Sequence, residues 1–522
     1  MKQLFILFIA IVTIALISCS KEKLDKTNTD PTKAGAANFD PNYLLSNAQL
    51  TYANTGYSQV LYQGPMMQVI ASTISYYGNG DKYVNADSFL DYQGKLWNDG
   101  YNAFSTIKEM QLLANQKGAE NYSNLISIGD IMLVLITQRL TDTYGDVPYS
   151  QAGQAKSGIR YPAYDTQQNI YLGMLNNLQS AINKLDPAKD IPAQDLFYSR
   201  FSGAARINAW KKFGYSLMLR VAMRLTKADA PTAKIWAEKA ALGGTFIDIN
   251  DNAIVYTDAS NGNVQNSTSN VMQVDLSPGF KWSKTFIDRI KADNDPRLSY
   301  IAELSNNNNN PAVQIGMPNG RDLNGGATDI RNEPAYPGAA GTEISGNYSR
   351  PRTSVYMPLN TPILVLTYAE TELLLAEAAA RGWNVGSATA SVHYSNGVRG
   401  SLKSLGQINS VAEIPDGTIN TYVAGKPLDV SSLGNSLRDI NIQYWVSTAS
   451  TFNFIETWHN WKRSGYPVLT PVNYTGNVTG STIPRRLPYP SNEIIITPDA
   501  YRAAVARLSG GDVLTGRVWW DQ

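Results

Sequence analysis

The chain has one cysteine and two histidines among 522 residues, and these scarcities remove whole classes of chemistry. A single thiol cannot form an intrachain disulfide or supply the paired thiolates of a zinc or iron–sulfur site. Neither His393 nor His459 sits in a metal-ligand spacing such as H-E-x-x-H. No G-x-S-x-G nucleophile elbow occurs. Charge is sparse too: Asp, Glu, Lys and Arg make up 17% of the chain, against about 25% in an average protein. Its 44 basic and 43 acidic residues nearly cancel, which argues against nucleic acid and against a strongly acidic ligand. No cofactor is expected. Some pair of carboxylates could always be proposed for a glycosidase, so a surface hydrolase stays open as a minor alternative.

What is present begins at the N-terminus. Lys2 precedes an apolar run, Leu4 to Ile17, broken only by Thr13. The run is shorter than the roughly 20 residues of a spanning helix. A basic residue, such a run and a small residue before the cut make residues 1–18 a secretory signal peptide. Leu16-Ile17-Ser18-Cys19 resembles a bacterial lipobox, and the one cysteine falls where the run ends. Acylation of Cys19 would anchor the chain to a membrane. An ordinary signal peptide with an incidental cysteine is the alternative. Residues 19–40 are polar and read as a flexible tether.

From 41 to 522 the pattern is helical. The stretch from Leu366 repeats apolar or small residues at Ala369, Leu373, Ala376 and Ala380, and Gly382 ends it. Glu370, Glu377 and Arg381 fall off that stripe and read as surface residues, with Glu377 and Arg381 an i,i+4 pair. A second helix spans about 206–227 with Trp210, Gly214, Leu217, Val221 and Leu225 on one face; Gly214 and Ala222 permit close packing. Others cover 94–116, 125–141, 166–185 and 233–242. Paired helices of this length predict a mostly α scaffold of helical hairpins. Residues 243–361 are rich in Gly, Asn, Pro and Ser and read as a loop-rich insertion within a single domain.

Particular motifs then follow one another in order. They are Asn28-Thr29-Asp30-Pro31, Thr141-Asp142-Thr143-Tyr144-Gly145-Asp146-Val147-Pro148-Tyr149 and the helix from Trp210 to Arg224. Asp295-Pro296-Arg297-Leu298, Tyr368-Ala369-Glu370, Trp461-Lys462-Arg463-Ser464-Gly465-Tyr466-Pro467 and Val518-Trp519-Trp520-Asp521 follow. Together they resemble the SusD/RagB family of nutrient-binding lipoproteins. Tyr215 is a departure, standing where that family usually has Asn. The resemblance implies tetratricopeptide-like helix pairs with loops that build the ligand face, at the outside of the outer membrane. It implies a glycan ligand, or in some members a peptide, and a SusC-like TonB-dependent transporter as partner.

The recurrent motif residues Asp146, Pro148, Arg220, Arg224, Glu377, Arg485 and Trp519 read as scaffold, and ligand contacts belong in the loops. A sugar needs an aromatic ring beneath its C–H face and amide, hydroxyl or guanidinium groups at its edge. Tyr76, Tyr77, Asn79 and Tyr83 supply these in one glycine-punctuated segment. Trp282, Tyr336, Asn347, Tyr348 and Arg350 supply them in the long insertion. Trp97 and Tyr101, at i,i+4, read as core. Asp248-Ile249-Asn250-Asp251 lacks a full calcium-ligand series and reads as a polar turn.

Overall fold

The computed structural model describes residues 39–84 and 91–522. The expected signal peptide, Cys19 and nearly all of the expected tether lie outside the described residues. Fourteen helices of eight residues or more organise what is described. They are α1 Asn42–Ala53, α2 Asp91–Gln116, α3 Ser123–Tyr144, α4 Gln167–Lys184, α5 Gly203–Arg224, α6 Ala230–Gly244 and α7 Ser267–Gly279. Then come α8 Lys284–Ala292, α9 Tyr368–Ala380, α10 Ala390–Ile408, α11 Asp416–Ala424, α12 Leu433–Ser450, α13 Phe454–Ser464 and α14 Pro498–Val505. Most long helices pack mainly on neighbours in sequence, α2 on α3, α3 on α4, α4 on α5, α5 on α6 and α9 on α10, while α12 packs on both α13 and α9. This is the tetratricopeptide-like stack of a mostly α protein. Residues Asn42–Gln522 form one compact unit.

Local chemistry sets the helix ends. Thr166 accepts from Asn169 N to start α4, Thr367 accepts from Glu370 N to start α9, and Thr389 does the same for Val392 N at α10. The α5 stripe is buried as its spacing predicts, with Trp210, Leu217 and Val221 fully enclosed. Gly214 is what lets α5 meet α4: a Cβ there would stand 2.6 Å from Ile182 Cγ1. The stretch Ala119–Tyr144 is apolar enough to cross a membrane, but 83% of its most apolar window is buried, so it is a core helix.

Two expectations need correction. Glu370 and Glu377 are not on the surface; each is 1% exposed. They face guanidinium groups from other helices. Arg463 on α13 grips Glu377 with two bonds of 2.7 Å, and Arg220 on α5 stands 3.6 Å from Glu370. Nearby, Arg224 holds Glu456 at 2.6 and 2.7 Å and Asp142 at 3.1 Å. A helix periodicity places a residue on a face but does not say whether another helix carries a cation there. Within the closing motif, Trp520 is the buried tryptophan and donates to Asp142 at 2.9 Å, while Trp519 is half-buried.

The segment 243–361, expected as a loop-rich insertion, also carries regular structure. It contains α7 and α8 and supplies short strands to the rest of the fold. From it, β2 (Ala253–Val255) pairs antiparallel with β4 (Ile363–Leu366), and β3 (Lys281–Trp282) pairs antiparallel with β1 (Ile70–Ala71). Its second half builds a satellite core from Met317, Ile330 and Tyr348 around Ala71. Asn, Asp and Ser side chains tie its turns to backbone N–H groups, which is how so polar a segment stays ordered.

Candidate ligand-binding surface

The tyrosine segment after β1 folds as two short helical turns, Ser75–Tyr77 and Gly78–Asp81. Its glycines serve close approach. A Cβ on Gly80 would stand 2.4 Å from the Leu61 carbonyl oxygen, so the turn lies directly on the chain that follows α1. That contact decides which side chains face outward. Asn79 points in and donates to the Tyr62 hydroxyl at 3.1 Å. Tyr83 adopts a left-handed φ of 56° and is fully buried. Tyr77 is also fully buried and donates to Asp275 Oδ2 at 2.9 Å. Only Tyr76 of the four remains partly exposed.

Tyr76 does not stand alone. Its hydroxyl donates to Asp275 Oδ1, and its ring lies 5.2 Å from Tyr77 and 6.4 Å from Tyr57. Tyr57 in turn meets Tyr92 edge-on at 5.4 Å. Tyr57, Tyr76 and Tyr92 are all partly exposed and rest on the core behind them. Asp275, on α7, is 1% exposed and spends both oxygens on tyrosine hydroxyls. Burial, then the Asp275 charge, pushes the Tyr57 hydroxyl up to about 12. Burial and the bond to Asp275 raise Tyr76 further, so both remain neutral donors at any physiological pH. The result is a set of non-coplanar aromatic faces braced by one carboxylate. It offers apolar faces with hydroxyl edges to a ligand. The carboxylate acting on all three of Tyr57, Tyr76 and Tyr77 is Asp275.

The candidates from the long insertion lie elsewhere and are occupied. Trp282 is fully buried between Phe286, Tyr356 and Phe452, and its indole N–H donates to the Ile301 carbonyl at 3.1 Å. Its bulk serves the core, so no ring face is open to a ligand. Tyr348 is 1% exposed within the satellite core, where Tyr336 packs against it and donates to the Ile344 carbonyl at 2.7 Å. Asn347 donates to the carbonyls of Pro337 and Ala339 at 3.2 Å each. Arg350 pairs with Glu303 at 3.1 Å and donates to Asn307. These side chains hold the insertion's shape.

Tyr57, Tyr92 and Asp275 were not legible as site residues. Tyr57 lies beyond α1, and Asp275 is 199 positions from Tyr76, so nothing local joins them. Trp97 is 5% exposed and Tyr101 donates to the Pro148 carbonyl at 2.7 Å, as core residues do. Asp248 starts a 3-10 turn by accepting from Asn250 N, and Asp251 pairs with Lys212. Among the described residues no group of three or more His, Cys, Asp or Glu side chains could hold a metal ion.

A protein-family model described as starch-binding and associating with the outer membrane matches residues 33–490. No curated protein matches the chain. Among solved structures, a chitin-binding protein superposes with a TM-score of 0.79 at 30% identity, over 92% of this chain and 100% of its own. A SusD homolog from Bacteroides uniformis gives 0.72 at 24% identity, over 92% and 99%. A chitin-binding SusD homolog from Flavobacterium johnsoniae gives 0.71 at 22%, over 92% and 98%. With the family model matched over most of its length and the same helical stack throughout, the chain belongs to the SusD-like family.

Proposed function

We propose that the protein is an outer-membrane lipoprotein, anchored through Cys19 and facing the cell exterior, that binds oligosaccharide and leaves it uncleaved. It passes the ligand to a SusC-like TonB-dependent transporter. One observation carries the ligand class: the relative matched over its whole length at 30% identity is named as chitin-binding. A β-linked N-acetylglucosamine oligosaccharide is therefore the leading ligand. Tyr57, Tyr76 and Tyr92 form the surface on which it stacks. This fits the chemistry, because a pyranose presents C–H faces to aromatic rings while its hydroxyl and N-acetyl groups need donors and acceptors at the edge.

The test uses the chain from Ser20 to Gln522 in calorimetry against chitohexaose, maltoheptaose and a peptide mixture, with each ligand chromatographed afterwards. Binding of chitohexaose, recovered at full length, is the expected result. Binding of maltoheptaose alone would move the ligand to starch, and peptide binding alone would overturn the glycan class. A shortened ligand would overturn the binding-only role. Purification of the native lipoprotein from membranes without any co-purifying TonB-dependent transporter would overturn the delivery step.

A further inference from the structure

A groove of about 880 Å³ opens on the helical scaffold, between the end of α4, the outer face of α5 and the turn that follows α6. None of the tyrosines around Asp275 lines it. On α5 the spacing is regular: Asn208, Lys211, Lys212 and Tyr215 recur every three to four residues on the face opposite Trp210, Gly214 and Leu217. This second stripe is polar and aromatic where the first is core.

The groove is built around Tyr215. The ring lies against Gly243, and a Cβ there would stand 2.2 Å from Tyr215 Cε1 and 2.4 Å from Cζ. Glycine at 243 is thus the condition for that ring position, and Gly244, at φ 101°, turns the chain away behind it. Tyr215 stays partly exposed. Phe201 forms another wall, its ring backed by the Arg200 guanidinium at 4.8 Å and by Tyr198. One cation is already satisfied: Asp251 accepts from Lys212 at 2.9 and 3.0 Å and from Ile247 N at 2.8 Å. Lys211 has no ion pair among the described residues. Asn183 accepts from Gln179, which leaves its own N–H groups for the groove. Asn208 stands exposed at the wall.

From this arrangement we propose that the groove is a second ligand site, for an oligosaccharide that carries a single carboxylate. The pyranose packs between Tyr215 and Phe201, the carboxylate meets Lys211, and the amides of Asn183 and Asn208 take ring hydroxyls. Two lysines against one aspartate give the groove a local positive charge on a chain whose overall charge is nearly zero. One acidic group suits it, and a polyanion does not. Its size lies in the range of small-ligand sites, about 300–1,000 Å³.

The test pairs acidic sugars with their neutral counterparts: sialyllactose with lactose, and glucuronic-acid-substituted xylotriose with xylotriose. Calorimetry on the chain from Ser20 should find one acidic member bound at least tenfold more tightly than its neutral partner, and weakened by salt. Lys211→Gln, a surface change that leaves the fold intact, should remove that preference. Tyr215→Ala should lower affinity about tenfold, while Tyr76→Ala should leave it unchanged. The proposal is overturned if no acidic sugar is preferred, or if Tyr76→Ala rather than Tyr215→Ala abolishes binding. Chitohexaose in the same cell reports on the tyrosine surface separately, so failure at one site is distinguishable from failure at the other.

Discussion

Replacing Glu377 with Gln tests the buried ionic scaffold on which the ligand surfaces rest. Glu377 is 1% exposed and receives two 2.7 Å bonds from Arg463, itself 2% exposed, and a 2.8 Å bond from Arg381. Burial alone would raise its pKa. The guanidinium charges of Arg463, then Arg381, outweigh that and hold it at about 2 instead of the usual 4.5. The folded state therefore favours the ionised form. The stabilisation is complete above about pH 4.5 and is lost as pH falls toward about 2, and it amounts to roughly 3 kcal/mol. At pH 7 the Gln variant leaves Arg463 buried without its counter-charge, which costs about 3–5 kcal/mol. Urea denaturation followed by tryptophan fluorescence, for both proteins at about pH 7 and about pH 2.5, gives the two differences. Other carboxylates titrate in both proteins and cancel. The gap between wild type and variant should shrink by roughly 3 kcal/mol on acidification. A gap below about 1 kcal/mol at pH 7, or one that does not change with pH, would refute the reasoning. Chitohexaose affinity under native conditions should not change, because Glu377 belongs to the scaffold.

Other outcomes follow from the same structure. Tyr76→Ala should weaken chitohexaose binding about tenfold, equivalent to about 1.4 kcal/mol, whereas Tyr76→Phe keeps the ring and should retain most of the affinity; equal losses in titration calorimetry would refute stacking. Trp282→Ala should destabilise the fold by about 3–5 kcal/mol in urea melts and leave the affinity of the folded protein unchanged. Gly214→Ala pushes a methyl group against Ile182 and should cost about 1–3 kcal/mol, measured by the same melts. Cys19→Ser should lose incorporation of labelled fatty acid and leave the outer-membrane fraction; continued labelling would end the case for that anchor.

Much of the helical scaffold is legible from the sequence because amphipathic spacing is a local property. The stripe from Trp210 to Leu225 predicts α5 to within three residues at each end, and the expected helix at 166–185 coincides with α4 to within one. Long-range polar pairing is not local. Glu377 has Arg381 four residues away and reads as half of a surface pair, but its stronger partner, Arg463, comes from a helix 86 positions on. The same limit explains the ligand candidates. Aromatic residues near glycines satisfy the composition of a sugar platform, yet Tyr77, Tyr83 and Trp282 satisfy it while fully buried.

The sequence by itself therefore determined the family and the helical class, because each depends on residue identity and local order. Only the tertiary structure decided which tyrosines face solvent. Exposure depends on what packs behind a ring. The approach of Gly80 to the Leu61 carbonyl turns Asn79 inward, and Asp275, brought over from α7, collects Tyr76 and Tyr77 beside Tyr57. In the same way, Gly243 matters to Tyr215 only because the packing of α6 on α5 brings its last turn under a ring 28 residues earlier in the chain.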